Sequence, residues 1–174
     1  MDKNILEEKV SKIKLVVFDV DGTMTNGKLY YSANGEELKR FSVRDGLGTL
    51  LLNLYGYKTA IMTSEDSPIV TARAKKLKIE HVILGARDKI TAMKKLVDDL
   101  NLDLENIAFV GDDLNDLETL KIVGFSACPN DAVESVRNIV DFVSSYNGGD
   151  GAIREIAEKI ILSRNKSIKL PKNW

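Results

Sequence analysis

A single cysteine, Cys128, leaves this chain without an internal disulfide. Nothing covalent staples the fold, and a reducing cytoplasm is the expected setting. Cys128 itself lies in an apolar run and reads as a small buried residue. An excess of either charge sign is also missing: 25 basic side chains meet 26 acidic ones, for a formal net charge of −1. That gives no electrostatic case for nucleic acid or an anionic membrane as partner. No apolar stretch approaches the roughly 20 residues of a membrane span. The opening residues, Met1 to Glu8, are acidic and amphipathic, unlike a secretory signal. The only histidine, His81, precedes an apolar run, has no partner residues near it in sequence and reads as structural. Internal repeats and low-complexity segments are absent. What is present is ordinary for a soluble globular protein: 44% apolar and 29% charged residues over 174 positions, enough chain for one domain with a real core.

Short apolar runs alternate with amphipathic stretches from end to end. Strands are expected at 15–18, 59–62, 82–84, 107–110, 125–127 and 139–143. Helices are expected at 46–55, at 68–77 behind a Ser67-Pro68 start, at about 88–100 behind an Asp88 cap, at 115–122, as a short piece capped by Asp131, and at 151–162. Alternation of this kind predicts βαβ units and an α/β fold: a mostly parallel sheet with helices on both faces. The strand runs are apolar throughout, as a sheet covered on both sides requires. One segment breaks the pattern. Asn34-Gly35 between two β-rich runs is a hairpin signal, so a hairpin over about 28–42 projects from the loop after the first strand. Its Tyr30, Tyr31 and Phe41 need something to pack on, since a lone hairpin is only marginally stable. Residues 1–162 read as the domain, and the basic tail 163–174, which contains Pro171 and Trp174, as either frayed or docked on a partner.

The chemistry gathers where strands end. The first run closes on Asp19-Val20-Asp21-Gly22-Thr23, and a later one on Gly111-Asp112-Asp113-Leu114-Asn115-Asp116. Crowded carboxylates repel, and a bound hard cation is what makes such crowding tolerable. In a parallel sheet Thr63 and Ser64 would arrive at the same edge, with Lys89 from the segment after the third strand. Carboxylates, a hydroxyl and an ammonium together suit a divalent cation plus a phosphate. Two carboxylates two residues apart can divide the labour, one attacking phosphorus and the other moving protons. Each motif alone has a structural reading: a loop Asp, a turn, a helix cap or a solvated lysine. Their joint occurrence, in order, at successive strand ends is what favours chemistry.

Taken together, DVDGTMT, the threonine of IMTSED, the lysine of RDKI and GDDLND resemble the four motifs of the haloacid dehalogenase superfamily of phosphohydrolases, over residues 15–116. The resemblance implies a three-layer Rossmann-like fold, an aspartyl-phosphate intermediate on Asp19, and Asp21 as general acid and base. It implies phosphate binding by Thr63 and charge stabilisation by Lys89. It also implies Mg²⁺ held by Asp19, the backbone carbonyl of Asp21 and Asp112, with Asp113 and Asp116 in support.

The segments Asn26–Tyr31, Phe41–Gly46 and Gly148–Glu155 narrow this, since they resemble the capless 3-deoxy-manno-octulosonate 8-phosphate phosphatases over about residues 10–162. That likeness implies a homotetramer joined through the hairpins, each active site closed by a neighbour, and a 2-keto-3-deoxy sugar-acid phosphate as substrate. Arg44, Arg73 or Lys76 could then meet the substrate carboxylate. After Thr63, however, those enzymes usually read Gly-Arg where this chain has Ser64-Glu65. Glu65 with Arg73 and Lys76 is similar to the sister group acting on sialic acid-type nonulosonate 9-phosphates, and could accept hydrogen bonds from a polyol or an amide. Arg44-Asp45-Gly46 points to the octulosonate branch, which the balance favours. The pathway would be lipopolysaccharide or sialic acid biosynthesis accordingly. Two readings of another class stand beside these: a phospho-receiver domain, whose acidic pair would precede the phosphorylated strand, and a non-catalytic oligomerisation module.

Overall fold

Pairing of the apolar runs organises the molecule. The computed structural model describes residues 3–164 and 167–170. In chain order its elements are α1 (Lys3–Ser11), β1 (Leu15–Phe18), β2 (Thr25–Ser32), β3 (Gly35–Phe41), α2 (Val43–Leu54), β4 (Lys58–Met62), α3 (Pro68–Leu77), β5 (His81–Ile83), α4 (Lys89–Asp99), β6 (Ile107–Val110), α5 (Leu117–Ile122), β7 (Phe125–Cys128), α6 (Glu134–Arg137), β8 (Phe142–Val143) and α7 (Ala152–Leu162), with 3-10 turns at Leu104–Asn106 and Leu114–Asp116. Six strands form one sheet in the order β5-β4-β1-β6-β7-β8, every pair parallel. From β1 the chain steps outward through β4 and β5, then returns to β6 on the other side of β1. The order therefore switches direction at β1, and the crevice beyond the carboxyl ends at such a point is where open α/β sheets bind ligands.

Strand residues alternate between two cores. Val16, Phe18, Ile61, Ala108 and Val110 pack with α1, α2, α3 and α7 on one face. Leu15, Val17, Ala60, Met62, Ile107 and Phe109 pack with α4, α5 and α6 on the other. Burial on both sides is why these runs lack a polar alternate. The result is the three-layer α/β fold expected, with all of Ile153, Ile156, Ala157, Ile160 and Ile161 of α7 buried. Cys128 is buried too, and burial pushes its thiol up to about 12, which makes it inert.

Several boundaries differ from expectation. Helix α2 begins at Val43, because Ser42 serves as N-cap and its hydroxyl accepts a hydrogen bond from the Asp45 amide at 3.3 Å. The α6 cap is Val133 and not Asp131; the Asp131 carboxylate instead accepts from the Gly148 amide at 2.8 Å. The last strand is only Phe142–Val143, with Ile139 exposed. The 115–122 helix opens as the 3-10 turn Leu114–Asp116. Ser32 pairs with Gly35, so the hairpin loop is Ala33-Asn34, one residue earlier than an Asn-Gly turn. Of the hairpin aromatics, Phe41 packs on the core, whereas Tyr30 and Tyr31 are exposed. Tail residues 167–170 lie against their own chain: the Lys169 amide donates to the Tyr55 hydroxyl at 2.7 Å and Ile168 packs on the core. Pro171 and Trp174 lie outside the described residues.

Candidate active site

The carboxyl edge of β1 and its two neighbours assembles the acidic groups. Asp19 follows β1 directly and is 5% exposed, its amide bonded to the Val110 carbonyl of β6 at 2.9 Å. Lys89 opens α4 behind the Asp88 cap, whose carboxylate accepts from the Thr91 amide. That cap aims the lysine inward: its ammonium lies 2.6 Å from both Asp19 Oδ1 and Asp116 Oδ1, with all three side chains almost fully buried. Asp116 is the organiser of the cluster. Its Oδ1 holds Lys89, and its Oδ2 accepts from the amides of Asp112 and Asp113 at 3.0 and 3.2 Å. Asp112 accepts from the Thr23 hydroxyl through Oδ1 at 2.8 Å. Gly22 makes room for it. A Cβ there would sit 1.9 Å from Asp112 Oδ2, and its φ of +93° suits glycine.

Asp19, Asp112 and Asp116 each offer an oxygen within 4.8 Å of the others. Asp116 has both oxygens committed to hydrogen bonds, while Asp112 keeps Oδ2 clear of them among the described residues. Burial pushes the Asp19 carboxyl up to about 7, with the Lys89 ammonium opposing and Asp116 adding to the rise. Burial and the neighbouring Asp19 charge push Asp112 up to about 8. Lys89 is driven down by burial but raised overall by Asp19 and Asp116, and stays a cation. Carboxylates held this far from their usual range call for a positive partner beyond Lys89, and an all-oxygen donor set fits a hard divalent cation. Thr63, 1% exposed, directly follows β4, the strand that pairs with β1, and its hydroxyl accepts from the Glu65 amide at 3.3 Å. Ser64 donates to the Ala86 carbonyl and accepts from the Asn115 side chain, linking the loops after β4 and β6.

Residues 58–156 match the family model described as haloacid dehalogenase-like hydrolase. The 3-deoxy-D-manno-octulosonate 8-phosphate phosphatase KdsC of Haemophilus influenzae is 40% identical over 162 residues, covering 93% of this chain and 90% of the relative. The chain belongs to the haloacid dehalogenase-like hydrolases. Its fold superposes on the 3-deoxy-D-manno-octulosonate 8-phosphate phosphatase of Moraxella catarrhalis, crystallised with magnesium, phosphate and KDO, with a TM-score of 0.91, 38% identity and 95% coverage of each chain. A cobalt-bound form of the Haemophilus influenzae enzyme gives a TM-score of 0.87 at 40% identity, covering 90% of this chain and 91% of that one.

The structure thus brings together Asp19, Thr63, Lys89, Asp112 and Asp116 at one edge. Asp113 stands beside them but is turned to cap Leu114. Glu65 is exposed in the loop after β4. Arg73, on α3, is committed locally: its guanidinium donates to the Ser42 carbonyl at 2.9 Å and stacks over the Phe41 ring, clamping α3 to the junction of the hairpin and α2. Lys76 is exposed in the last turn of α3, which has run back toward the amino edge of the sheet. Arg44 is exposed and lines a hollow with Tyr146, Arg154 and Glu155. His81 opens β5, at the opposite edge from the acidic cluster. Sequence reasoning missed Lys39, whose ammonium lies 2.6 Å from Asp21 Oδ1. A lysine in a hairpin reads as solvated, so no signal pointed to it.

Proposed function

We propose that this hydrolase removes the phosphate of 3-deoxy-D-manno-octulosonate 8-phosphate, with Mg²⁺ as cofactor and Asp19 as nucleophile. The observation that carries the reading is the buried Asp19 carboxylate, held by Lys89 at the end of the central strand within reach of Asp112. The octulosonate 8-phosphate in the relatives' names supports the choice of sugar acid, and the nonulosonate 9-phosphate alternative is not favoured.

Asp19 attacks phosphorus, and the bond from phosphorus to the sugar oxygen breaks as the bond to Asp19 forms. Asp21 gives a proton to the departing oxygen. It then takes one from the water that attacks phosphorus in the second step, which frees Asp19 and inorganic phosphate. Lys89 holds Asp19 and draws charge from the phosphoryl oxygens, with Thr63 as a neutral donor. Asp19, the Asp21 carbonyl and Asp112 would hold Mg²⁺, supported by Asp113 and Asp116; the bound ion screens the anionic phosphate from the anionic nucleophile.

Residues 1–162 form the catalytic unit and 163–174 the tail. Exposed Leu29, Tyr30, Tyr31 and Leu38 on the hairpin support association into a homotetramer. In such an assembly Lys76, remote from the site of its own chain, could serve a neighbour's. A lone buried thiol suits the cytoplasm. The test is a kinetic comparison of octulosonate 8-phosphate with a nonulosonate 9-phosphate. Expected is a kcat/KM at least about tenfold higher for the octulosonate ester, lost with chelator and restored by Mg²⁺. Equal rates, or turnover indifferent to chelator, would contradict the reading.

A further inference from the structure

Within β3 only Lys39 is buried, and its side chain is 0% exposed. Lysine is buried to this extent almost only when paired. Here it has two carboxylates, Asp21 Oδ1 at 2.6 Å and Glu36 Oε1 at 2.8 Å. The other Glu36 oxygen accepts from the Ser67 hydroxyl at 2.5 Å. Ser67 sits at the N-cap of α3, yet its side chain caps nothing in that helix. The chain Asp21–Lys39–Glu36–Ser67 therefore ties the loop after β1, the hairpin and the start of α3. Register shifts in β2, between Thr25 and Leu29 and again at Tyr30, are the kind of irregularity that re-aims a hairpin side chain. Burial would pull Lys39 down, but the bonds to Asp21 and Glu36 outweigh it and raise it, so it remains a cation.

Asp21 is thereby held by one oxygen only. Its Oδ2 is buried and has no hydrogen-bond partner among the described residues. A buried carboxylate oxygen left unpartnered is uncommon and needs a reason. We propose that Lys39 is a positioning residue for proton transfer: it grips Asp21 by Oδ1 and leaves Oδ2 as the oxygen that carries the proton to the departing ester oxygen. The hairpin then does more than join subunits, since one of its side chains sets the aim of the proton carrier. This inference rests on the phosphatase reading and on Asp21 as general acid.

The test compares two esters in full-length protein with Mg²⁺. Glycerol 2-phosphate has an alkoxide leaving group that needs the proton; p-nitrophenyl phosphate has one that does not. The readout is kcat/KM, which stops at departure of the leaving group and is blind to the second step that both esters share. For Lys39→Met, the ratio of kcat/KM for p-nitrophenyl phosphate to that for glycerol 2-phosphate is expected to rise by about tenfold or more. A smaller rise overturns the proposal, however far both values fall together, because a merely structural role lowers both alike. If Lys39→Met yields no folded protein, Glu36→Gln keeps the lysine and weakens its outer anchor. The same ratio should then rise by about threefold or more, and a smaller rise overturns the proposal. Wild-type protein inert toward both esters would overturn the phosphatase reading, and the clamp with it.

Discussion

Replacing Lys89 by methionine keeps the shape of the side chain and removes one charge. That charge sits 2.6 Å from each of two carboxylates, Asp19 and Asp116, with side-chain exposures of 1%, 7% and 0% for the three groups. A unit-charge pair at 4 Å in an effective dielectric of 20 is worth about 4 kcal/mol, and breaking a buried pair by deleting one partner costs about 3–5 kcal/mol. The site has an escape, because burial already pushes Asp19 up to about 7 with Lys89 present. Without the ammonium Asp19 rises further and keeps its proton at neutral pH, so the expected loss lies at the lower end, about 3 kcal/mol at pH 7. A carboxyl raised in the folded state favours folding most at low pH. That advantage is lost as pH climbs from the unfolded value through the folded one. The deficit of Lys89→Met relative to wild type should therefore widen between pH 5 and pH 8.5. Denaturant unfolding in the presence of chelator measures it. A loss under about 1 kcal/mol, below the range for a broken buried pair, or a deficit constant over that pH range would refute the reasoning. Turnover should fall by about 10²–10³ in the same variant, as for loss of one preorganised electrostatic donor.

Wild-type protein should gain more stability from Mg²⁺ as pH rises from 5 to 8. Asp19 and Asp112, pushed up to about 7 and about 8, release protons over that interval and become better ligands. The difference in denaturation midpoint with Mg²⁺ and with chelator checks this, and a gain that shrinks with pH would count against the assigned ligands. Gly22→Ala should abolish Mg²⁺ binding by titration calorimetry, since its Cβ would displace Asp112. Gly35→Ala, also at positive φ (+113°) but with nothing within 4 Å of its Cβ, should bear only the backbone strain of about 1–3 kcal/mol and bind Mg²⁺ normally. Equal Mg²⁺ affinities in the two variants would contradict the role given to Gly22.

The strands that carry the site were legible because burial on both faces leaves runs such as Leu15–Phe18 and Ile107–Val110 without a polar interruption, and the first polar residues after them mark the sheet edge. The strand-end motifs then placed Asp19, Thr63, Lys89 and Asp112 correctly at one edge. What escaped was interaction between side chains whose types carry no positional signal. Lys39 looks like any hairpin lysine until the hairpin folds onto Asp21. Arg73 looks available for an anionic substrate until Ser42 and Phe41 are found beneath it. Asp116, expected as support, turned out to hold Lys89 and two backbone amides at once. The remoteness of Lys76 from its own chain's site escaped for another reason: helical spacing shows which face a residue occupies but not which end of the sheet the helix has reached. At β8 the run 139–143, apolar but for Asp141, contained the turn that follows α6, and periodicity cannot separate a short strand from such a turn.

The most direct test of the account is to quench turnover of octulosonate 8-phosphate in acid and locate the phosphoryl group by peptide mass spectrometry. A phosphoryl group on Asp19 in wild type, absent from Asp19→Asn, is the expected result. Full turnover in Asp19→Asn, or a phosphoryl group on any other residue, would contradict it.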